Sequence, residues 1–126
     1  MKALLKVMPA KLKRGLSALS EADFKQLQEI RLRVGQPLIL KIGGNEFGLG
    51  DEGICKLEWG HKISKQDISD ILHCMSNFSL YALEDELRQG FLTLEGGHRV
   101  GLVGKVVLES NRIKTLKYIS GMNIRI

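Results

Sequence analysis

Four cations hold the positions best suited to chemistry: Arg31 and Arg33 in one segment, Arg99 and Lys105 in another. One residue separates Arg31 from Arg33, so in an extended strand, where side chains alternate, both fall on the same face. Two guanidiniums on one face present rigid, planar donors that match a phosphate or a carboxylate. Arg99 follows the pair Gly96–Gly97 at the start of a strand-like run, and Lys105 lies further along it. The same spacing also fits a solvated face whose arginines pair with Glu29 or Glu95. The residues alone leave anion binding and plain ion pairing both open.

Other constellations carry less. Gly101, Gly104 and Lys105 superficially resemble a phosphate loop. Such a loop needs a glycine where Arg99 stands, a Ser or Thr where Val106 stands, and a helix afterwards. A Gly-x-x-Gly nucleic-acid clamp joins two helices, whereas Leu102 and Val103 suit a sheet. The serines and histidines are scattered among unrelated elements, so no Ser/His/Asp or Cys/His set can be assembled. Glu84, Asp85 and Glu86 read as the solvated face of an amphipathic helix, and nothing pairs them with a second carboxylate for acid–base work. Cys55 and Cys74 are too few for a disulfide framework, and the adjacent His73 and Cys74 diverge by about 100° on a helix. No metal site and no catalytic residue are predicted.

The elements that must position these cations follow from the hydrophobic pattern. Leu5, Met8, Leu12, Leu16 and Leu19 recur at helical spacing, and Pro9 divides the segment because it lacks a backbone donor. Ser20 with Asp23 forms a capping box for a short helix through Gln28. At Glu29 the period changes to two, with Ile30, Leu32 and Val34 opposite Arg31 and Arg33. Gly35-Gln36-Pro37 turns the chain into an apolar strand, Leu38 to Ile42, and Gly43–Gly44 predicts a hairpin to Glu46–Leu49. A fourth strand is expected over Ile54–Trp59. Ser64, answered by Asp67, caps a helix from Lys65 to Met75, and a further helix runs from Ser79 to Gln89 before Gly90. Strands are then expected at Phe91–Leu94, Arg99–Leu108 and Arg112–Ile119. Short turns between strands imply antiparallel pairing. The fold class is α+β, a mostly antiparallel sheet with helices packed on one face and helices preceding it.

At 126 residues the chain suits one domain, with residues 1–28 as a helical N-terminal extension and 29–126 as the sheet domain. No apolar run approaches the ~18 residues of a membrane span. The N-terminus is not a secretory signal, because lysines interrupt it. The net charge of +5 is unevenly spread: residues 1–20 hold five cations and no acid. The first helices therefore either lie on an anionic membrane surface or dock their leucines on the core. Aromatic residues make up only 6% and no strand interleaves them with basic residues. No nucleic-acid partner is expected, although a small basic nucleic-acid-binding module is the alternative reading.

Longer blocks are more specific. Glu29 to Leu38 reads Glu-Ile-Arg-Leu-Arg-Val-Gly-Gln-Pro-Leu, and Ser76 to Gly90 reads Ser-Asn-Phe-Ser-Leu-Tyr-Ala-Leu-Glu-Asp-Glu-Leu-Arg-Gln-Gly. Gly96 to Lys105 and the closing Ile119-Ser-Gly-Met-Asn-Ile-Arg-Ile complete the set. Together they resemble the stage III sporulation protein AA family along essentially the whole chain. That resemblance implies kinship with the ATPases of secretion systems and pilus motors, in which an α+β domain precedes a RecA-like module carrying the Walker motifs. Such a module is expected beyond Ile126, with ATP and Mg²⁺ as cofactors of the longer protein and none in this domain. Glu29-Ile30-Arg31 and Gly35-Gln36-Pro37 stand where the wider superfamily has Asp-hydrophobic-His and Gly-x-Pro, and His98-Arg99-Val100 matches the second arginine of an Arg-hydrophobic-Arg-Val strand. By that likeness Arg99, and with it Arg31 and Arg33, is expected near nucleotide phosphates. The resemblance further implies a hexameric sporulation ATPase energising a channel between mother cell and forespore. Its expected partners are its own ATPase module, neighbouring protomers and membrane-anchored stage III sporulation proteins. The expected location is the mother-cell cytoplasm, peripheral to that channel.

Overall fold

The structure, a computed structural model, describes residues 2–75, 84–94, 96–104, 107–109, 112–115 and 119–126. Two short helices open the chain, α1 (Lys2–Lys6) and α2 (Ala10–Ser17), separated at Pro9, whose extended backbone breaks the helix. The Pro9 carbonyl then accepts the first hydrogen bond of α2, from Lys13 N–H at 2.9 Å. In α3 (Glu21–Gln26) the Ser20 hydroxyl accepts from Asp23 N–H at 3.1 Å, the predicted cap. This helix stops two residues earlier than its polar tail suggests. Leu27 turns to extended backbone and pairs with Ile42, so burial of one leucine overrides helix propensity at Leu27 and Gln28.

Strands β1 (Leu27–Arg33), β2 (Ile39–Ile42), β3 (Asn45–Gly50) and β4 (Gly53–Cys55) then form a meander of antiparallel pairs. A bulge between Leu27 and Glu29 keeps Leu27 inward together with Ile30 and Leu32 despite the odd spacing. Gly43 and Gly44 both have positive φ, as a two-residue hairpin between right-twisted strands requires. The strand expected over Ile54–Trp59 is corrected. It ends at Cys55, and Leu57–Trp59 is a 3-10 turn lying against β3. Helix α4 (Lys65–Met75) is as predicted, and Ile68, Ile71 and Leu72 are its buried residues. Of the next helix, α5 (Glu84–Gln89) is described and Gly90 follows at φ 85°. The predicted start at Ser79 lies outside the described residues.

The second half of the sheet differs from the sequence reading. After β5 (Phe91–Thr93), the expected Arg99–Leu108 strand is two, β6 (Arg99–Gly104) and β7 (Val107–Glu109). The expected Arg112–Ile119 strand is β8 (Arg112–Thr115), paired with β7 in a separate two-stranded sheet. A further strand, β9 (Ile119–Arg125), follows. It inserts between β1 and β6, and the main sheet runs β4-β3-β2-β1-β9-β6-β5, all antiparallel. Ile30, Leu40, Leu92, Val100, Met122 and Ile124 line its inner face. They form one core with Leu12 and Leu16 of α2 and with Ile68, Ile71 and Leu72 of α4. The opening helices are thereby part of this core.

Candidate functional site

The helices cover one face of the sheet, and the register fixes what stands on the other. In antiparallel pairs, residues directly opposite share a face. One row across the strands is therefore Thr93, Arg99, Arg125, Glu29, Lys41 and Glu46, and the next is Phe91, Gly101, Asn123, Arg31, Ile39 and Gly48. Val103, Gly121 and Arg33 make a third. Three of the four cations named from sequence share this face. Lys105 lies outside the described residues.

The three arginines are held differently. Arg31 is an ion-pair residue: its guanidinium donates to Glu29 at 3.2 Å and to Glu46 at 3.4 Å. Arg33 folds back on the sheet and donates from one nitrogen to the carbonyl oxygens of Leu32 at 3.0 Å and Met122 at 3.3 Å. Its path runs over Gly121, where a Cβ would lie 2.8 Å from Arg33 Cδ and 2.5 Å from the Leu32 oxygen. Only glycine leaves that lane open. Arg99 is exposed, with its guanidinium 5.6 Å from the Phe91 ring centre.

Directly across from Arg99 stands Arg125, also exposed. Like charges facing one another on adjacent strands oppose pairing. Among the described residues no carboxylate bonds to either. Glu29, the other neighbour of Arg125, is engaged by Arg31. The two are opposed at the backbone, while the Arg99 guanidinium leans toward Phe91 of β5, so the pair places positive charge on neighbouring strands of this face without a bonded carboxylate among the described residues. Arg125 was not singled out from sequence because its strand was not recognised. The signal was present as Met122 and Ile124 alternating with Gly121, Asn123 and Arg125.

Beside these arginines, Arg31, Arg33, Pro37, Ile39, Leu57 and Glu58 line a shallow trough of about 250 Å³. Asn123 Oδ1 is secluded from solvent without a hydrogen-bond partner. Elsewhere, the structure does assemble a serine, a histidine and an aspartate. Asp67 accepts from Ser64 N–H at 2.9 Å and meets His61 Nε2 at 2.9 Å, while Ser64 Oγ accepts from Asp67 N–H at 3.0 Å. The hydroxyl faces the helix and not the imidazole, so the group is a reinforced cap of α4 and not a nucleophilic triad. Partial burial acts to raise the Asp67 pKa; the hydrogen bonds from Ser64 and His61 outweigh it and hold the carboxyl below its ordinary value. Burial, then the Glu58 carboxylate, pushes the Cys55 thiol up, which disfavours a reactive thiolate. Glu86 accepts from the Thr93 backbone N–H at 3.3 Å, tying α5 to β5. Among the described residues no group of three or more His, Cys, Asp and Glu is placed to hold a metal ion.

The fold and this face define an α+β module, a curtain of strands with one side packed by helices and the other bearing arginines. The family model described as "Sporulation stage III, protein AA" matches residues 1–126. The chain belongs to that family. It is 36% identical over 126 residues to the stage III sporulation protein AA of Bacillus subtilis (strain 168), covering all of this chain and 38% of that protein. The chain thus spans well under half the length of the relative it matches. Among solved structures it is similar to the Legionella pneumophila ATPase DotB, at a TM-score of 0.49 and 11% identity, over 94% of this chain and 30% of that one.

Proposed function

We propose that this chain is a non-catalytic assembly and regulatory domain of a sporulation ATPase, and that its arginine face meets the phosphates of a nucleotide held by an ATPase module. Family membership and the chain's 38% share of its relative's length support the setting. The observation that carries the role is the Arg99–Arg125 pair: two like charges at opposed positions, uncompensated by any described carboxylate, on the sheet face opposite α2 and α4. An anion bridging them turns a repulsive pair into a favourable one.

The chain has no Walker lysine or Walker acid, so the ATPase module would hold ATP and Mg²⁺. This chain would supply cations that stabilise charge developing on the transferred phosphoryl group, a contribution worth orders of magnitude in turnover where it is made directly. Arg31, tied to two glutamates, and Arg33, tied to two carbonyls, would brace the face. The working form on this reading is a hexamer in the mother-cell cytoplasm. Its partners are neighbouring protomers and membrane-anchored stage III sporulation proteins, and the sheet moves as a rigid body between nucleotide states. The test uses the full-length protein. Arg99→Ala is expected to lower ATP turnover at least tenfold with hexamer assembly retained or weakened. Unchanged turnover together with unchanged assembly sinks the assignment.

A further inference from the structure

The opening helices raise a separate question, because their two faces are so unlike. Five of the 19 Lys and Arg residues lie in the first 20 positions, which contain no Asp or Glu; the other 14 are balanced by 14 acids. The net charge of +5 is therefore wholly the charge of this segment. Its apolar side is fully used, since Leu4, Met8, Leu12 and Leu16 are buried in the core. Lys6, Lys11, Lys13 and Arg14 all point outward and exposed. Among the described residues no carboxylate bonds to any of the four. The turn carrying Asp51 and Glu52 does come close to α2, because its flanking Gly50 lies against Gly15 and its flanking Gly53 packs by Ala18, yet no ion pair links its acids to the four cations.

We propose that the outer face of α1 and α2 is an electrostatic docking surface for an anionic phospholipid bilayer, binding without insertion. Insertion is excluded by the packing: no apolar stripe is left to enter the acyl region. Attraction remains. Clustered Lys and Arg on one side of an amphipathic element bind the diffuse negative potential of acidic lipids, with roughly additive contributions per residue. The composition of the face favours lipid over nucleic acid. Three of its four cations are lysines, point charges without the planar fork suited to defined phosphate contacts, and no exposed aromatic residue stands among them to stack on a base. This surface is independent of the arginine pair, which lies on the sheet face opposite α2 and α4.

The experiment is co-sedimentation of the purified chain with vesicles rich in phosphatidylglycerol, or of phosphatidylcholine alone, at low and at physiological salt. The expected result is binding to the anionic vesicles only, weakened by salt. Replacing Lys11→Ala, Lys13→Ala and Arg14→Ala together is expected to weaken it about a hundredfold. Alanine preserves the helix, and circular dichroism checks that. A charge-matched control, Lys56→Ala with Lys62→Ala and Lys65→Ala, is expected to bind as the parent does. The proposal is overturned by any of four results: equal loss in the control, no binding at low salt, equal binding to phosphatidylcholine, or tighter binding to duplex DNA than to anionic vesicles at the same ionic strength.

Discussion

Arg99 and Arg125 occupy opposed positions on β6 and β9, and this like-charged pair makes a prediction that does not depend on turnover. Arg125→Ala removes the repulsion, so the isolated chain should unfold at equal or slightly higher denaturant, by up to ~1 kcal/mol. On the function proposed above, the same change in the full-length protein should lower nucleotide turnover as Arg99→Ala is expected to. Loss of stability in the isolated chain would assign Arg125 a packing role instead. Gly121→Ala should act in the opposite sense. Its methyl group would strike the Leu32 carbonyl and the Arg33 side chain, costing about 1–3 kcal/mol in urea unfolding. Asp67 sets the acid limit of its helix cap. Its carboxyl is depressed in the fold below the ordinary value of 3.8, so the unfolded chain takes up the proton first as pH falls. The stabilisation is complete above that ordinary value and is lost as pH drops through the folded one. Unfolding midpoints measured between pH 7 and pH 3 should therefore fall less steeply for Asp67→Asn than for the parent, and parallel slopes would refute the coupling.

At the level of elements, what was legible in the sequence was whatever local chemistry decides. Ser20 with Asp23 and Ser64 with Asp67 cap their helices as read, and Ser64→Ala should cost about 1 kcal/mol in thermal or urea unfolding. Gly43–Gly44 turns the hairpin, and the alternation of Ile30 and Leu32 with Arg31 and Arg33 places two cations on one face. What was not legible is what neighbours decide. Strand β9 contains Ser120, Gly121 and Asn123, poor strand formers, and it is extended because β1 and β6 bond it on both sides. The candidate site was half visible for that reason: Arg99 lies in a strand that reads as one, Arg125 in a strand made by its partners. Residues 57–59 went the other way: Leu-Glu-Trp alternates as a strand would, yet it forms a 3-10 turn lying against β3. The first helices illustrate a third case. Their leucine spacing is compatible with membrane contact, the lack of Trp and Phe on that face favours core docking, and the burial of Leu12 and Leu16 decides it. Leu16→Ala should cost about 2–5 kcal/mol, which unfolding by denaturant would show.

On the scale of the whole molecule, three surfaces divide the work: a helical side that seals the core, a strand face that bears arginines, and a cationic outer rim on α1 and α2. The order in which these are completed follows from where β9 sits. Residues 30 and 124 are paired neighbours in space although nearly the whole domain separates them along the chain. Everything from β4 to β1 on one flank, and β5 with β6 on the other, leaves the ribosome before the strand that joins them. Until then the bonding edges of β1 and β6 lie bare, the condition under which nascent sheets pair wrongly. A polypeptide halted before Ile119 should accordingly show no cooperative melting. Arg125 cannot come alongside Arg99 until the keystone strand is in place, so the paired charges exist only in a finished sheet.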